Sequence, residues 1–403
     1  MLAGGWYPQA SWQQVVISRE KEQGMLRIGF AFNINIQRCE IEVGDEKRII
    51  DEGYVPLIDA LRTHGIRANF FCSGYSSLLM KKLAPETLGA LVEEDGRLFE
   101  IGTYTYTHPI PQLLTEREFF KQLERGLAID ERIFGQRPAG FLPPEFAYTG
   151  EMARALKSLG VEWTVVLASR FKEARPEATT AELHTPHRVK IDAEQSILAV
   201  PAVYQLPDTP ARYFKRMMKG EVSVDTVLRG VRLFAEESPG AFLLFKRDAE
   251  TVFIDRFNSG FEGTREVMDE FFAKLRELPD VEFVNIGQIV REASRQELVT
   301  IELDDYLGNT TIETYTAGEA RPLWDKTVLV RERLEVAERE GTLPPVVIEE
   351  AWENLLLSHN SDGRIGYWFS EWNPGEHKVA PSRRYFVDDH LSVAARLLGL
   401  ELE

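Results

Sequence analysis

The sequence predicts an α/β barrel followed by a helical C-terminal region, and three observations predict it. Between residues 26 and 200, short apolar runs alternate with amphipathic segments of helical period at least five times. Such alternation builds parallel βαβ units, because parallel neighbours need a crossover between them. With 403 residues and 44% hydrophobic content, five or more units exceed what a small open sheet uses. From about residue 300 the apolar spacing becomes wholly helical.

Each element follows in order. "MLRIGFAFNIN" (25–35) reads as a buried strand and "GYVPLIDALRTHG" as a helix with a glycine stop. "IRANFFCSG" is the second strand, "APETLGALVEEDG" a helix and "LFEIGTYTYTH" the third strand. A long amphipathic helix follows. Thr115 and Glu118 have capping-box spacing at its start, and Gly135 stops it. "AGFLPPE" is a strand, "TGEMARALKSLG" a helix and "VEWTVVLA" a strand in which Trp163 is expected in the core. After Ser169 a polar, proline-punctuated excursion reads as an insertion over one end of the barrel, spanning about 170–235. Within it, 209–223 is open between a mobile lid and an ordinary surface helix. "AFLLFKRDAE" returns to a strand, and "VEFVNIGQIV" reads as the closing strand. The expected organisation is an extension over 1–25, a barrel over 26–298 and a helical subdomain over 299–403.

The net charge is −17, with no long Lys/Arg run, which argues against nucleic acid and anionic membranes as partners. No run of about 18 apolar residues suggests a membrane span, and the first residues lack the pattern of a signal peptide. The two cysteines, Cys39 and Cys72, have no disulfide or zinc spacing, so a reducing cytoplasm is the expectation. No cofactor or metal is expected, and the oligomeric state is open.

In α/β barrels the reactive side chains sit at the C-terminal ends of strands. Three strand ends carry such residues: Glu100 and His108; Glu145 and Tyr148 in "FLPPEFAY"; and Asp248 and Glu250 in "KRDAE". Each alone reads as a turn residue or a salt-bridge partner. Together, Glu145 and Asp248 end two strands of one barrel, and two facing carboxylates are the minimal apparatus for cleaving or transferring a glycosidic bond. Prolines 143 and 144 stiffen the approach to Glu145. A cation such as Arg247 could hold one carboxylate ionised while burial raises the other.

These stretches resemble glycoside hydrolase family 57. "FEIGTYTYTHPIPQLL", "FLPPEFAY", "KRDAETVFIDRFNSGFEG" and "AWENLLLSHNSDGRIGYW" follow the order of that family's motifs over roughly 26–290 and 345–372. The resemblance implies a distorted, incomplete (β/α)7 barrel with a helical subdomain, acting with retention on an α-linked glucan or related carbohydrate. It implies Glu145 as nucleophile and Asp248 as acid/base, with Ser361, Asp362 and Trp368 reaching toward the sugar. Glu100, His108, Tyr148 and Glu250 join them as candidate substrate contacts.

The first strand departs from the family pattern. Asn33 and Asn35 stand where a histidine is usual, and asparagine can bind a hydroxyl but carries no proton at neutral pH. "VFIDRF" likewise replaces the usual Gly-His-Trp-Trp. Two alternatives stay open: a carbohydrate-binding homologue that lost activity, and a metal-dependent polysaccharide deacetylase. The latter wants an aspartate and two histidines, yet Tyr104 stands four before His108. His184 and His187 read as surface residues. Trp352 reads as core, while Trp368 and Trp372 are open between sugar contact and packing.

Overall fold

The computed structural model describes residues 24–36, 45–206, 209–254, 264–308, 310–364 and 381–401. Ten strands form one sheet: β1 (Leu26–Ile34), β2 (Ala68–Cys72), β3 (Phe99–Thr103), β4 (Gly140–Phe141), β5 (Trp163–Leu167), β6 (His187–Lys190), β7 (Ser196–Ala202), β8 (Phe242–Asp248), β9 (Val281–Phe283) and β10 (Thr300–Ile301). Their spatial order is β10-β6-β7-β5-β4-β3-β2-β1-β8, and β9 pairs with β1. Among the described residues the two ends of this path do not pair with each other, so the curled sheet is a distorted, incomplete barrel.

Pairing is parallel from β8 through β1, β2, β3, β4 and β5 to β7, as the strand–helix alternation predicts. β1, between β2 and β8, is buried along nearly its whole length. Phe30 and Phe32 on one face meet Phe70, Phe214, Phe245 and Phe271, with ring centroids 5.2 to 6.4 Å apart. Burying one such side chain is worth roughly 1.5–3 kcal/mol, so this aromatic layer dominates the packing of helices on the sheet. The helix Glu116–Phe134 starts with the capping box read from the sequence. Glu118 N donates to Thr115 Oγ1 at 3.2 Å, and Thr115 N donates to Glu118 Oε2 at 2.8 Å. Trp163 and Trp352 are both buried.

Four local readings change. The polar excursion contributes β6 and β7 to the sheet, and these two pair antiparallel. His184 and His187 are buried. The His187 ring stacks on Phe171 at 3.8 Å, and His184 Nδ1 lies 3.2 Å from the Phe242 carbonyl. Burial pushes both imidazoles down to about 4, so they are neutral at pH 7. Residues Pro210–Met218 form a helix whose Phe214, Met217 and Met218 are core residues, which makes it a packed helix and not a lid. Finally, the expected closing strand is only three residues long and a helix begins at Ile286. Asn69 Oδ1 accepts the Ile286 amide and Glu100 Oε2 accepts that of Gly287. Two captured amides start a helix where an apolar run alone fits helix or strand.

Helices Arg321–Glu340, Pro345–Ser358 and Pro381–Leu397 share a separate core around Leu334, Trp352, Leu355 and Leu391. A buried cluster holds this helical region to the barrel. Arg331 bonds both oxygens of the fully buried Glu118, at 2.8 and 2.7 Å, and His359 Nε2 lies 3.1 Å from Oε1. Among the described residues, no helix is long and apolar enough to cross a membrane.

Candidate functional site

The C-terminal ends of β1, β3, β4 and β8 bring most of the candidate residues together. Asn33 of β1 and Asp248 of β8 are register partners, so their side chains leave the same face. Strand alternation puts Lys246 on that face too, and Arg247 on the other. Lys246 Nζ lies 3.0 Å from Asp248 Oδ1. It also sits 4.8 Å over the ring of Phe146, the neighbour of Glu145. Asp248 and the Glu145 turn are therefore joined through one ammonium group. The cation beside Asp248 that sequence reasoning sought at Arg247 is Lys246, and the period-two spacing was the signal that marks it.

Glu145 is 4% exposed and Asp248 9%, so both carboxyl groups are largely shielded from water. The turn Pro144–Phe146 places Glu145 at φ 51° and Phe146 at φ 52°. That left-handed backbone costs a non-glycine residue roughly 1–2 kcal/mol. Thr105 and His108, just beyond β3, are also left-handed. Four of the five non-glycine residues with positive φ among the described residues thus stand at two adjacent strand ends. Strain concentrated in this way belongs to sites the surrounding fold over-determines.

A second network runs from the barrel to the helical region. His108 Nε2 lies 2.8 Å from the Tyr104 hydroxyl, and its Nδ1 2.8 Å from Ser361 Oγ and 3.6 Å from Asp362 Oδ2. Asn35 Nδ2 donates to Asp362 Oδ2 at 2.8 Å. All these residues are buried. Tyr104, four residues before His108, was noted in the sequence only as not being a histidine; here it is the partner that orients the imidazole. Asn33 is fully buried, and among the described residues neither its Oδ1 nor its Nδ2 has a hydrogen-bond partner.

The remaining candidates divide. Glu250 is fully buried in the short turn Glu250–Val252, directly after β8. Glu100 is half-buried, with its carboxylate on Asn69 Nδ2 at 2.7 Å and Gly287 N at 2.8 Å. Burial raises its pKa against those two hydrogen bonds. Its partners begin the helix at Ile286, a structural task. Tyr148 is held by an antiparallel backbone pair and a ring stack with Tyr306, centroids 5.9 Å apart. Burial pushes its phenol up to about 12, and the charges bearing on it are Asp305 and Arg154 rather than the two carboxylates. Trp368 and Trp372 lie outside the described residues, as does the Phe-Glu-Gly stretch at 261–263. Among the described residues, no group of three or more His, Cys, Asp or Glu side chains could hold a metal ion.

An incomplete parallel barrel with buried carboxylates at the ends of β4 and β8, joined to a helical region through β3, defines a narrow class of α/β proteins. The sequence matches the model of glycosyl hydrolase family 57 over residues 51–302, well over half of the chain. The protein belongs to that family. Solved structures share the fold at low identity. The 4-alpha-glucanotransferase of Thermococcus litoralis superposes with TM-score 0.70 at 16% identity, over 93% of this chain and 60% of that one. The branching enzyme of Pyrococcus horikoshii gives 0.65 at 15%, over 94% and 95%. The alpha-amylase AmyC of Thermotoga maritima gives 0.65 at 13%, over 93% of each. A peptidoglycan-N-acetylmuramic acid deacetylase of Bacillus subtilis is 25% identical over 153 residues, 35% of this chain and 31% of that protein. The chain therefore spans about a third of this relative and three-fifths of the glucanotransferase.

Proposed function

We propose that the protein is a retaining glycosidase or transglycosidase acting on an α-linked glucan or related carbohydrate. Glu145 is the nucleophile and Asp248 the acid/base. Glu145 attacks the anomeric carbon while Asp248, protonated, gives its proton to the departing glycosidic oxygen. A glycosyl ester on Glu145 results. Asp248, now ionised, then takes a proton from water or an acceptor hydroxyl, which attacks the same carbon and frees Glu145. Asn33, Asn35, His108 and Asp362 line the approach for sugar hydroxyls.

The observation that carries this reading is the buried, left-handed Glu145 turn, linked through Lys246 to Asp248. A structural loop has no need of a strained carboxylate behind two prolines, whereas a nucleophile has to be held in one geometry. The glucan-acting relatives named above add weight to the substrate class. A cytoplasmic location, with neither metal nor cofactor, completes the reading.

The test is leaving-group release from a panel of activated α-glycosides, with Glu145→Gln alongside. Release by the wild type, and a loss of at least about a thousandfold in the variant, is the expected result. Comparable turnover by Glu145→Gln would remove the nucleophile assignment. Binding of glucans without release from any donor would favour a carbohydrate-binding homologue.

A further inference from the structure

The segment that leaves β10 crosses the mouth of the barrel before the helical region begins. It touches the Glu145 turn at several points. Tyr306 and Tyr148 exchange backbone hydrogen bonds of 2.8 and 2.9 Å. Gln112 Nε2 donates to both of their carbonyls. The Tyr306 hydroxyl accepts the Leu167 amide at 3.2 Å, at the end of β5. Asp305 Oδ1 accepts the Gly150 amide at 2.9 Å, where the helix after the turn begins. At Gly308 the strap lies against the turn itself. A Cβ there would stand 2.4 Å from the Glu145 carbonyl oxygen, 2.9 Å from Phe146 Cβ and 3.0 Å from Leu167 Cδ1.

We infer that the strap Leu303–Gly308 positions the nucleophile, and that Gly308 is its contact point: the absence of a side chain lets the strap press the left-handed Glu145–Phe146 turn into place. This rests on the assignment of Glu145. The turn is short and strained, and β4, which carries it, is paired over only two residues. Left to itself it would relax toward ordinary backbone angles. Two backbone bonds lie within the turn, Phe146 N to Pro143 O and Ala147 N to Pro144 O, both 3.0 Å. The strap adds a constraint from outside, at Gly308. Gly308 and Tyr306 are positioning residues, because they act on the backbone of Glu145 and touch no reacting atom.

The experiment compares Gly308→Ala with wild type, with Gly89→Ala as a control. A Cβ at Gly89 meets nothing within 4 Å. Kinetics on a 4-nitrophenyl α-maltooligosaccharide and a crystal structure of the variant are read together. The expected result is a Glu145 carbonyl displaced by roughly half an ångström or more. With it, kcat falls about tenfold or more while KM stays within about twofold, since misplacement of a reacting group by an ångström costs about a hundredfold. Gln112→Met, which removes only the amide bridging the strap to Tyr148, gives a smaller loss of kcat in the same direction. An unmoved Glu145, or wild-type kcat in Gly308→Ala beside an inactive Glu145→Gln, overturns the inference alone. An active Glu145→Gln removes the catalytic assignment and the inference with it. A fall in kcat matched by Gly89→Ala would reduce Gly308 to a general packing role and also overturn it.

Discussion

At the residue scale the ion pair between Lys246 and Asp248 makes the sharpest statement about chemistry. An ammonium 3.0 Å from the Asp248 carboxylate fixes where that group stands relative to the Glu145 turn. Lys215, from the helix Pro210–Met218, feels Asp248 as well. Burial, together with Arg247 and Lys219, lowers Lys215 to about 8. Replacing Lys246 by methionine keeps the stem and removes the charge. The expected outcome is a fall in kcat/KM of about tenfold or more, while Lys246→Arg stays near wild type. Wild-type kcat/KM in Lys246→Met would detach the ammonium from the placing of Asp248. At this scale the sequence marked the strand ends well. It gave Glu145, Asp248, His108 and Asn35 their places because polar residues closing apolar runs are uncommon. It missed Lys246 because the adjacent Arg247 drew attention, although only i+2 spacing shares a strand face. Tyr306 and Gly308 were invisible, since nothing local in a glycine says which backbone it will meet 160 residues away.

At the element scale, helix Glu116–Phe134 meets the helix Gly74–Leu83 through a polar residue. Asp130 is fully buried, and Ser77 Oγ donates to its Oδ1 at 3.2 Å. Burial pushes this carboxyl well above its ordinary value of 3.8, against the hydrogen bond from Ser77. A folded-state pKa raised above the unfolded one means that unfolding releases a proton. The contribution of Asp130 to stability is therefore complete below about pH 4 and declines as pH rises from there to its folded pKa. Asp130→Asn is nearly isosteric and carries no charge to desolvate. Its melting temperature at pH 7 is expected to equal or exceed the wild type by about 2–4 °C, with the difference vanishing below pH 4. A clear drop at pH 7 would mean that an ionised Asp130 supports the helix. Elements with strong periodicity, such as this helix with its capping box, were legible residue by residue. The three-residue β9 was not, because its helix is started by side chains of β2 and β3, and the antiparallel β6 lay hidden in a polar stretch.

At the scale of the whole molecule, the barrel and the helical region are expected to unfold together, because charged groups are buried where they meet. Glu118 is the hub of that contact. Burial alone would raise its carboxyl, but His359 and Arg331 hold it at about 2. A depressed folded-state pKa contributes stability that is complete above about pH 4.5 and lost as pH falls toward 2. Removing the carboxylate strands Arg331 and His359 in the interface, a loss of roughly 3–5 kcal/mol. Calorimetry of the wild type at pH 7 is expected to show one transition, and Glu118→Ala two, with the helical region melting first. A single transition in both would make the coupling independent of this cluster. The barrel and the helices beyond residue 300 were predictable because period and composition are summed over long windows. Their mutual contact was not, since no pattern in either half names its partner.

Asn33 leaves a donor and an acceptor buried side by side, neither engaged among the described residues. Each such group withheld from hydrogen bonding costs about 1–3 kcal/mol, recovered by whatever occupant answers both. Two neighbouring hydroxyls on one ring do so at once. Under the function proposed above, Asn33 would favour a vicinal diol to the same extent before and at the moment of reaction. Stabilisation of that uniform kind deepens KM and leaves kcat alone. On that proposal affinity belongs to the end of β1 and rate to the ends of β4 and β8, so a change at Asn33 would alter the preferred sugar and leave the reacting carboxylates in place.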